Sequence, residues 1–250
     1  MATAITPTKR IAIDKRIIFA LDVESPHEAK EWVRRLEERV RFFKVGLQLF
    51  LAGGFSIVEW IVERGSEVML DLKFFDVPQT VASAVSQLKS RGISFTTVHG
   101  NDAIIRAAVE AKQDVKILAV TVLTSLDDAD MRDLGFLCSA EEVVLSRARR
   151  ALELGCEGVV SSGLEAPRLR DQLGERFLAV VPGVRPFANT EDDQKRVIDV
   201  KGAFLNGADY VVIGRPLRRA EKPLLLAESM QREIEAALEE RSSGLRENRV

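Results

Sequence analysis

The 250-residue chain has little of what several protein classes depend on. Its two cysteines, Cys138 and Cys156, are too few for a disulfide framework and lack zinc-site spacing, and residues 1–16 lack the apolar core of a secretory signal. We therefore expect a cytoplasmic protein. The longest uncharged stretch, residues 45–58, falls short of the roughly 20 apolar residues that span a bilayer, so no membrane partner is expected. A formal net charge of −2 argues against a nucleic-acid partner.

Common motifs of metal and nucleophile chemistry are missing as well. The sequence has no H-E-x-x-H and no paired-cysteine motif, so we expect neither a metal nor another cofactor. Residues 161–163, Ser-Ser-Gly, do not form a G-x-S-x-G nucleophile elbow. His27 lies in a predicted helix start and His99 ends a predicted strand, and we expect structural roles for both.

The chain does contain a regular alternation of strand and helix patterns. Segment 28–40 places Trp32, Val33 and Leu36 on one helical face and charged residues on the other. Short β-branched runs predict strands at 17–23, 42–46, 67–73, 95–100, 116–124, 158–163, 177–185 and 208–216. A spacing of about 27 residues per unit fits parallel strands joined by crossover helices.

These repeats predict the α/β class and a (β/α)8 TIM barrel. The alternative is a doubly wound open sheet, but no G-x-G-x-x-G follows the first predicted strand, where Asp22 stands instead. No Pro/Gly/Ser linker divides the chain. We expect a single domain over residues 1–250, with a lead-in at 1–16 and a polar tail at 239–250.

Polar residues stand where the predicted strands end, which is where barrel active sites are assembled. Asp22 ends strand 1, Lys44 interrupts strand 2, Asp71 and Lys73 end strand 3, and Thr124 ends strand 5. The period of two sends Asp71 and Lys73 to the same face. Two structural alternatives remain open: a salt bridge that closes the barrel top, and a snorkelling Lys44.

Asp76 follows strand 3 closely and precedes Pro78, which suits the first turn of a helix. A helix-capping role is the structural alternative for Asp76, but the cap position next to Pro78 belongs to Val77. Together with the charges of strands 2 and 3, Asp76 completes a set of alternating sign. A low-dielectric barrel mouth can hold such a set if all four charges touch.

The loops after strands 7 and 8 predict a phosphate site. Residues 182–185 read Pro-Gly-Val-Arg, residues 213–215 read Ile-Gly-Arg, and Gln194 lies between them. Glycine lets backbone N–H groups approach an anion, and arginine supplies a forked donor. The alternative is an ordinary glycine turn with an exposed arginine. Segment 187–193 is expected to close over a ligand.

Residues 71–80, Asp-Leu-Lys-Phe-Phe-Asp-Val-Pro-Gln-Thr, resemble the D-x-K-x-x-D-I-P-N-T signature of orotidine 5'-monophosphate decarboxylases, in the bacterial form. Val77 and Gln79 depart from the usual Ile and Asn, and 99–102 lacks the Gly pair of many bacterial relatives. The similarity covers nearly the whole chain and includes residues 20–22, 44–46, 121–125, 182–185, 194 and 213–215.

The resemblance implies a homodimeric enzyme that converts orotidine 5'-monophosphate to UMP and CO2 without a metal, in the last step of de novo pyrimidine nucleotide synthesis. It implies that Lys73 donates a proton to C6 while Lys44 and Asp71 flank the departing carboxylate. Asp76 and Thr80 would complete the partner subunit's site. Further implied substrate contacts are Asp22 to the ribose, Thr124 to the pyrimidine edge, and Arg185, Gln194, Gly214 and Arg215 to the 5'-phosphate.

Two other functions remain to be weighed. A magnesium-dependent sugar-phosphate decarboxylase or aldolase of the same superfamily would share the D-x-K-x-x-D barrel and the phosphate site. Such relatives carry an acid where this chain has Lys44, and a cation there would repel Mg²⁺. A non-catalytic nucleotide-phosphate binder is the second alternative, but it has no use for four costly charges.

Overall fold

A computed structural model describes residues 9–185 and 198–247, and its strands close into a parallel barrel. Each strand pairs with the next along the chain, and the eighth pairs with the first, which confirms the predicted (β/α)8 architecture. The strands are β1 Ile17–Ala20, β2 Phe42–Gly46, β3 Glu67–Phe74, β4 Ile93–Val98, β5 Lys116–Val120, β6 Gly158–Val160, β7 Leu178–Val181 and β8 Tyr210–Ile213.

Helices lie between the strands and around the barrel. Among the described helices none is both long and apolar enough to cross a bilayer. A single 3-10 turn, Ile13–Lys15, precedes β1. The helices are α1 Pro26–Leu36, α2 Leu47–Glu63, α3 Pro78–Ser86, α4 Asp102–Ala111, α5 Asp128–Asp133, α6 Ala140–Glu153, α7 Ala166–Leu173, α8 Val200–Leu205, α9 Arg215–Arg219 and α10 Pro223–Glu247.

Several predicted strands extend beyond the observed ones at their C-terminal ends. Strand β5 ends at Val120 rather than at Thr124, and β1 ends at Ala20 rather than at Val23. The predicted strand 4 began at Phe95, whereas β4 begins at Ile93. Residues just past a strand end keep the same apolar pattern because they line the barrel mouth, although their backbone has left the hydrogen-bonded ladder. Pattern alone does not separate these two environments.

Local sequence explains where the helices begin. The side chain of Ser25 accepts a hydrogen bond from the Glu28 N–H at 3.2 Å, and Pro26 occupies the first helical position of α1. Helix α6 begins with a reciprocal capping box between Ser139 and Glu142. These caps satisfy amide groups that have no partner within the helix, so each crossover turns into its helix at a defined residue.

The strands separate two hydrophobic clusters, one inside the barrel and one between barrel and helices. Inside, the ring of Phe42 lies with its centroid 5.1 Å from that of Phe95 and 5.7 Å from that of Tyr210. These rings fill the barrel interior below the mouth. Because side chains alternate along a strand, the residues two positions beyond Phe42 and Phe95, Lys44 and Thr97, point inward at the next layer.

A buried ionic cluster around Asp209 lies at the opposite end of the barrel, where β7 and β8 begin. Its Oδ2 accepts hydrogen bonds from Arg170 at 2.8 Å, from the Ala179 N–H at 2.9 Å and from Lys9 at 2.6 Å. Lys9 thus ties the described part of the predicted lead-in to the barrel base. Charge at the N-terminal end of a barrel indicates a structural role, whereas charge at the C-terminal end indicates chemistry.

Candidate active site

Charged side chains from three adjacent strands meet at the C-terminal mouth. Lys73 Nζ lies 2.9 Å from both carboxylate oxygens of Asp71. Lys44 Nζ lies 3.5 Å from Asp71 Oδ2 and donates a hydrogen bond to Asp22 Oδ1 at 3.0 Å. We call Asp22, Lys44, Asp71 and Lys73 the charge row. The geometry brings together three of the four predicted catalytic residues and adds Asp22 at the end of the row.

The centre of the charge row is withdrawn from solvent, while its ends are open. The side chains of Asp71 and Lys44 are 10% and 11% exposed, and those of Lys73 and Asp22 are 37% and 48% exposed. Burial opposes ionisation of Asp71, but the cations Lys44 and Lys73 and the hydrogen bonds that the carboxylate accepts outweigh it and lower the pKa of Asp71. Both central groups of the row are therefore charged at neutral pH.

Lys44 shows the same balance with the opposite sign. Burial alone would lower the pKa of its ammonium group, but the carboxylates of Asp71 and Asp22 outweigh burial and raise the pKa above the ordinary value. A Cβ atom at Gly46 would lie only 3.1 Å from Lys44 Nζ. Glycine two residues after Lys44 therefore leaves room for the ammonium between its two acids.

The backbone at Lys73 is strained. Its φ of 48° lies in the left-handed region, which non-glycine residues rarely adopt, at a cost on the order of 1–3 kcal/mol. The pairing of β3 with β4 is irregular between Leu70 and Phe74, which spans this residue. Such irregularities re-aim side chains beside active sites. The strain therefore falls on the residue that the resemblance identifies as the proton donor.

Thr97 on β4 contacts both acidic and basic members of the row, and the sequence analysis did not identify it. Its hydroxyl donates a hydrogen bond to Asp71 Oδ1 at 2.8 Å and accepts one from the backbone N–H of Lys73 at 2.9 Å. Thr97 is fully buried. Thr97 lies two positions after the inward-facing Phe95, so it also faces the barrel interior. A polar residue at such a position was the signal that could have identified it.

Asp76 and Thr80 are not paired with the charge row of their own chain, although both line a cleft with Lys73. Helix α3 has Val77 as its N-cap and Pro78 at its first position, as predicted. Asp76 is exposed, and its Oδ1 accepts a hydrogen bond from the Val77 N–H at 2.6 Å. Thr80 is exposed in the first turn of α3. Among the described residues Asp76 forms no ion pair with Lys73, so one chain alone does not complete the predicted set of four.

The predicted phosphate residues lie at the ends of β7 and β8. Arg185 is buried, and its Nη1 donates a hydrogen bond to the preceding carbonyl oxygen at 3.0 Å. Gly214 is the N-cap of α9, and Arg215 is its first residue. These positions agree with the strand-end prediction. Gln194 and segment 187–193, the predicted closing loop, lie outside the described residues.

Thr124 lies buried just past β5, and two side chains hold the strand end that leads to it. The ring of His99 places Nδ1 3.0 Å from the carbonyl oxygen of Val120. Arg147 on α6 donates a hydrogen bond to the next carbonyl oxygen, that of Thr121, at 2.7 Å. His99 and Arg147 therefore take up carbonyls that the ladder no longer satisfies.

The part of the chain that the structure describes lacks a cluster of side chains suited to a metal ion. Across residues 9–185 and 198–247, no group of three or more His, Cys, Asp or Glu side chains is arranged to hold a metal ion. At the barrel mouth, Asp22 and Asp71 share the ammonium of Lys44.

A closed (β/α)8 barrel with a charge row at its C-terminal mouth, Gly-Val-Arg after β7 and Gly-Arg after β8 has the features of the phosphate-binding class of barrels. The family follows from comparison with known sequences. Residues 15–230 match the model of the orotidine 5'-phosphate decarboxylase / HUMPS family, and the chain belongs to this family.

Similar proteins agree with this assignment. The orotidine 5'-phosphate decarboxylase of Methylococcus capsulatus is 55% identical over 228 residues, which cover 90% of this chain and 94% of that protein. The enzyme of the same name from Nitrobacter winogradskyi is 44% identical over 226 residues, with 90% and 94% covered. The crystal structure of orotidine 5'-phosphate decarboxylase from Lactobacillus acidophilus aligns with a TM-score of 0.78 at 32% identity and covers 88% of this chain and 99% of that one.

Replacing Asp71 with Asn should destabilise the protein by on the order of 3 kcal/mol at pH 7, because the buried Lys44 loses its nearest acid. The folded-state pKa of Asp71 is lowered, so its contribution is fully present above the unfolded value of about 4 and is lost as the pH falls through the folded value. Urea unfolding at fixed protein concentration, from pH 7 to pH 3, measures the difference between the two proteins.

The matched control is Asp171→Asn on the exposed face of α7, which should leave stability nearly unchanged at every pH. A difference between wild type and Asp71→Asn that is constant down to pH 3, or that grows as the pH falls, would contradict the electrostatic description of the row.

Proposed function

We propose that the chain decarboxylates orotidine 5'-monophosphate to UMP and CO2, with Lys73 as the proton donor. The observation that carries the proposal is the contact of Lys44, Asp71 and Lys73 at the barrel mouth of a member of this family. The relatives from Methylococcus capsulatus and Nitrobacter winogradskyi carry the name of this enzyme. The reaction is the last step of de novo pyrimidine nucleotide synthesis.

The reaction has a demanding electronic requirement that the row can meet. When the bond between C6 and the carboxylate breaks, CO2 leaves and the electron pair stays on C6, where the ring offers no obvious position to accept it. A fixed positive charge must therefore lie close to C6 in advance. The ammonium of Lys73 attracts the developing carbanion and then gives one proton to C6, which completes UMP.

Asp71 acts on the substrate rather than on the product. Because its pKa is lowered, the carboxylate is ionised, and it lies beside the position proposed for the departing carboxylate. Two like charges repel in the bound substrate, and the repulsion disappears once neutral CO2 has formed. Lys44 keeps Asp71 ionised in this buried position and holds Asp22 for the ribose.

The row also favours a mechanism without a metal ion. A divalent cation is bound by carboxylate oxygens, but Lys44 already neutralises Asp22 and Asp71 at 3.0 Å and 3.5 Å. A magnesium ion between these acids would meet the ammonium directly. The magnesium-dependent sugar-phosphate chemistry considered above is therefore disfavoured by the position of Lys44.

The enzyme must lower the activation free energy of decarboxylation by on the order of 20 kcal/mol, which is more than one lysine can supply. Binding of distant parts of the substrate supplies the rest by holding the pyrimidine in a fixed position. We assign the ribose to Asp22 and the pyrimidine edge to Thr124. The 5'-phosphate is assigned to Arg185, Gln194, Gly214 and Arg215.

Arg215→Ala should lower kcat/KM by about 100-fold or more, because phosphate binding is used to position the reacting ring. Steady-state assays with orotidine 5'-monophosphate measure the change. Arg219→Ala, at the exposed end of the same helix α9, is the control and should behave like wild type. Near-native kcat/KM for Arg215→Ala would exclude this arginine from the phosphate site.

The exposed surface near Asp76 supports a homodimer. Apolar side chains that normally avoid water are exposed there: Leu51 on α2 is 84% exposed, Phe75 is 67% exposed and Val77 is 63% exposed. Leu51 and Phe75 line a cleft of about 400 Å³ that Lys73, Asp76 and Thr80 also line. A second copy that covers this surface brings its own Asp76 and Thr80 next to Lys73 and completes the four charges.

Both cysteines are free, which fits a reducing compartment such as the cytoplasm.

A mixing experiment tests the reaction and the shared site together. Wild type should consume orotidine 5'-monophosphate, followed by the fall in pyrimidine absorbance, whereas Lys73→Ala and Asp76→Ala should each be almost inactive. After the two variants are unfolded and refolded together, half of the dimers contain both chains, and one of their two sites has native Lys73 and native Asp76. About one quarter of wild-type activity should return.

Lys73→Ala mixed with Asp71→Ala is the matched control, because both residues come from the same chain and every site stays defective. The proposal of a shared site fails if the Lys73→Ala and Asp76→Ala mixture stays as inactive as this control. Absence of turnover by folded wild type would overturn the proposed reaction itself.

A further inference from the structure

Thr97 and its neighbour Thr96 are buried threonines on β4 with different partners. The Thr96 hydroxyl donates a hydrogen bond to the carbonyl oxygen of Leu70 at 2.9 Å. The Thr97 hydroxyl points to the mouth, where it contacts the Asp71 carboxylate and the Lys73 backbone. Both threonines have no exposed surface. Only one of these two similar residues reaches the charge row.

The chemistry of a hydroxyl makes its two bonds interdependent. A threonine hydroxyl has one proton to donate and lone pairs to accept with, and an ionised carboxylate only accepts. The proton of Thr97 is therefore directed at Asp71 Oδ1, 2.8 Å away, and a lone pair is left for the Lys73 N–H. The single Thr97 Oγ1 atom thus fixes both the orientation of the Asp71 carboxylate and the backbone of Lys73.

The Lys73 amide depends on this partner because the ladder is interrupted there. The pairing of β3 with β4 shifts between Leu70 and Phe74, and Lys73 adopts a φ of 48°. Its N–H bonds to a side chain of β4 instead of a backbone carbonyl. A strained conformation persists only where its surroundings over-determine it, and the bond to Thr97 supplies such a restraint.

We propose that Thr97 is a positioning residue that holds the Asp71 carboxylate and the strained Lys73 backbone in the arrangement needed for proton transfer. The inference rests on the proposed function. Thr97 does not touch the substrate in this assignment; it acts through its two neighbours. Removing its hydroxyl leaves Lys73 free to leave the left-handed conformation and allows the Asp71 carboxylate to rotate.

The test uses Thr97→Val, which keeps the branched shape but loses the hydroxyl, with Thr97→Ser as the conservative variant and Thr96→Val as the matched control. Thr97→Val should lower kcat about 10- to 100-fold, because small misplacements of reacting groups have effects of this size. Thr97→Ser should stay within about 3-fold of wild type, since it keeps both hydrogen bonds.

Binding of UMP, measured by calorimetry, distinguishes positioning from general damage. Thr97→Val should change the Kd of UMP less than about 3-fold, because affinity for the product comes mainly from the phosphate and ribose contacts. Thr96→Val should lose comparable thermal stability, since it also loses a buried hydrogen bond, yet keep kcat. Equal loss of kcat in Thr97→Val and Thr96→Val, or unchanged kcat in Thr97→Val, would overturn the inference.

Hydrogen exchange of the Lys73 amide gives a readout that needs no turnover. The amide should exchange at least about 10-fold faster in Thr97→Val than in wild type and Thr96→Val, because it loses its hydrogen-bond acceptor. Unchanged exchange in Thr97→Val would show that Thr97 does not restrain Lys73, whatever reaction the protein catalyses. If wild type does not act on orotidine 5'-monophosphate, the proposed function fails, and the exchange rate still decides the role of Thr97.

Discussion

The buried Asp71 carboxylate is the group on which the rest of the site depends. It is ionised in a dry position only because Lys44, Lys73 and Thr97 all direct positive charge or a hydrogen-bond proton at it. Lys44 depends on Asp71 in return, since its ammonium is equally buried. The row therefore behaves as one unit, and the aromatic layer around Phe42 supports it from below.

In our proposal, assembly and chemistry are linked through the segment after β3. Lys73 points into the mouth of its own barrel, while Asp76 is exposed on the same short segment and accepts a hydrogen bond from the neighbouring backbone N–H of Val77. In a dimer that covers this surface, the apolar side chains Phe75 and Val77 are buried and Asp76 gains a cation. Under our proposal, the same residues that hold two chains together complete the two active sites.

Much of this arrangement was predictable because β-strands have a period of two and barrel chemistry lies at strand ends. That rule placed Asp71 and Lys73 on one face and brought Lys44 to them. It could not identify Thr97, whose role arises from an irregular pairing of β3 with β4, nor the left-handed backbone of Lys73. It also did not show that Asp22 rather than Asp76 lies against Lys44 within one chain. These features depend on contacts between strands rather than on the local pattern.

The central claim of our proposal is that the charge row, completed by Asp76 from a second copy of the chain, drives decarboxylation without a metal ion. The most direct measurement is the rate at which metal-stripped protein consumes orotidine 5'-monophosphate in EDTA, beside the same protein with Mg²⁺. We predict equal rates in both conditions, because our proposal assigns the cation at C6 to Lys73 and because Lys44 lies between Asp22 and Asp71. Loss of turnover in EDTA and its recovery with Mg²⁺ would contradict the account.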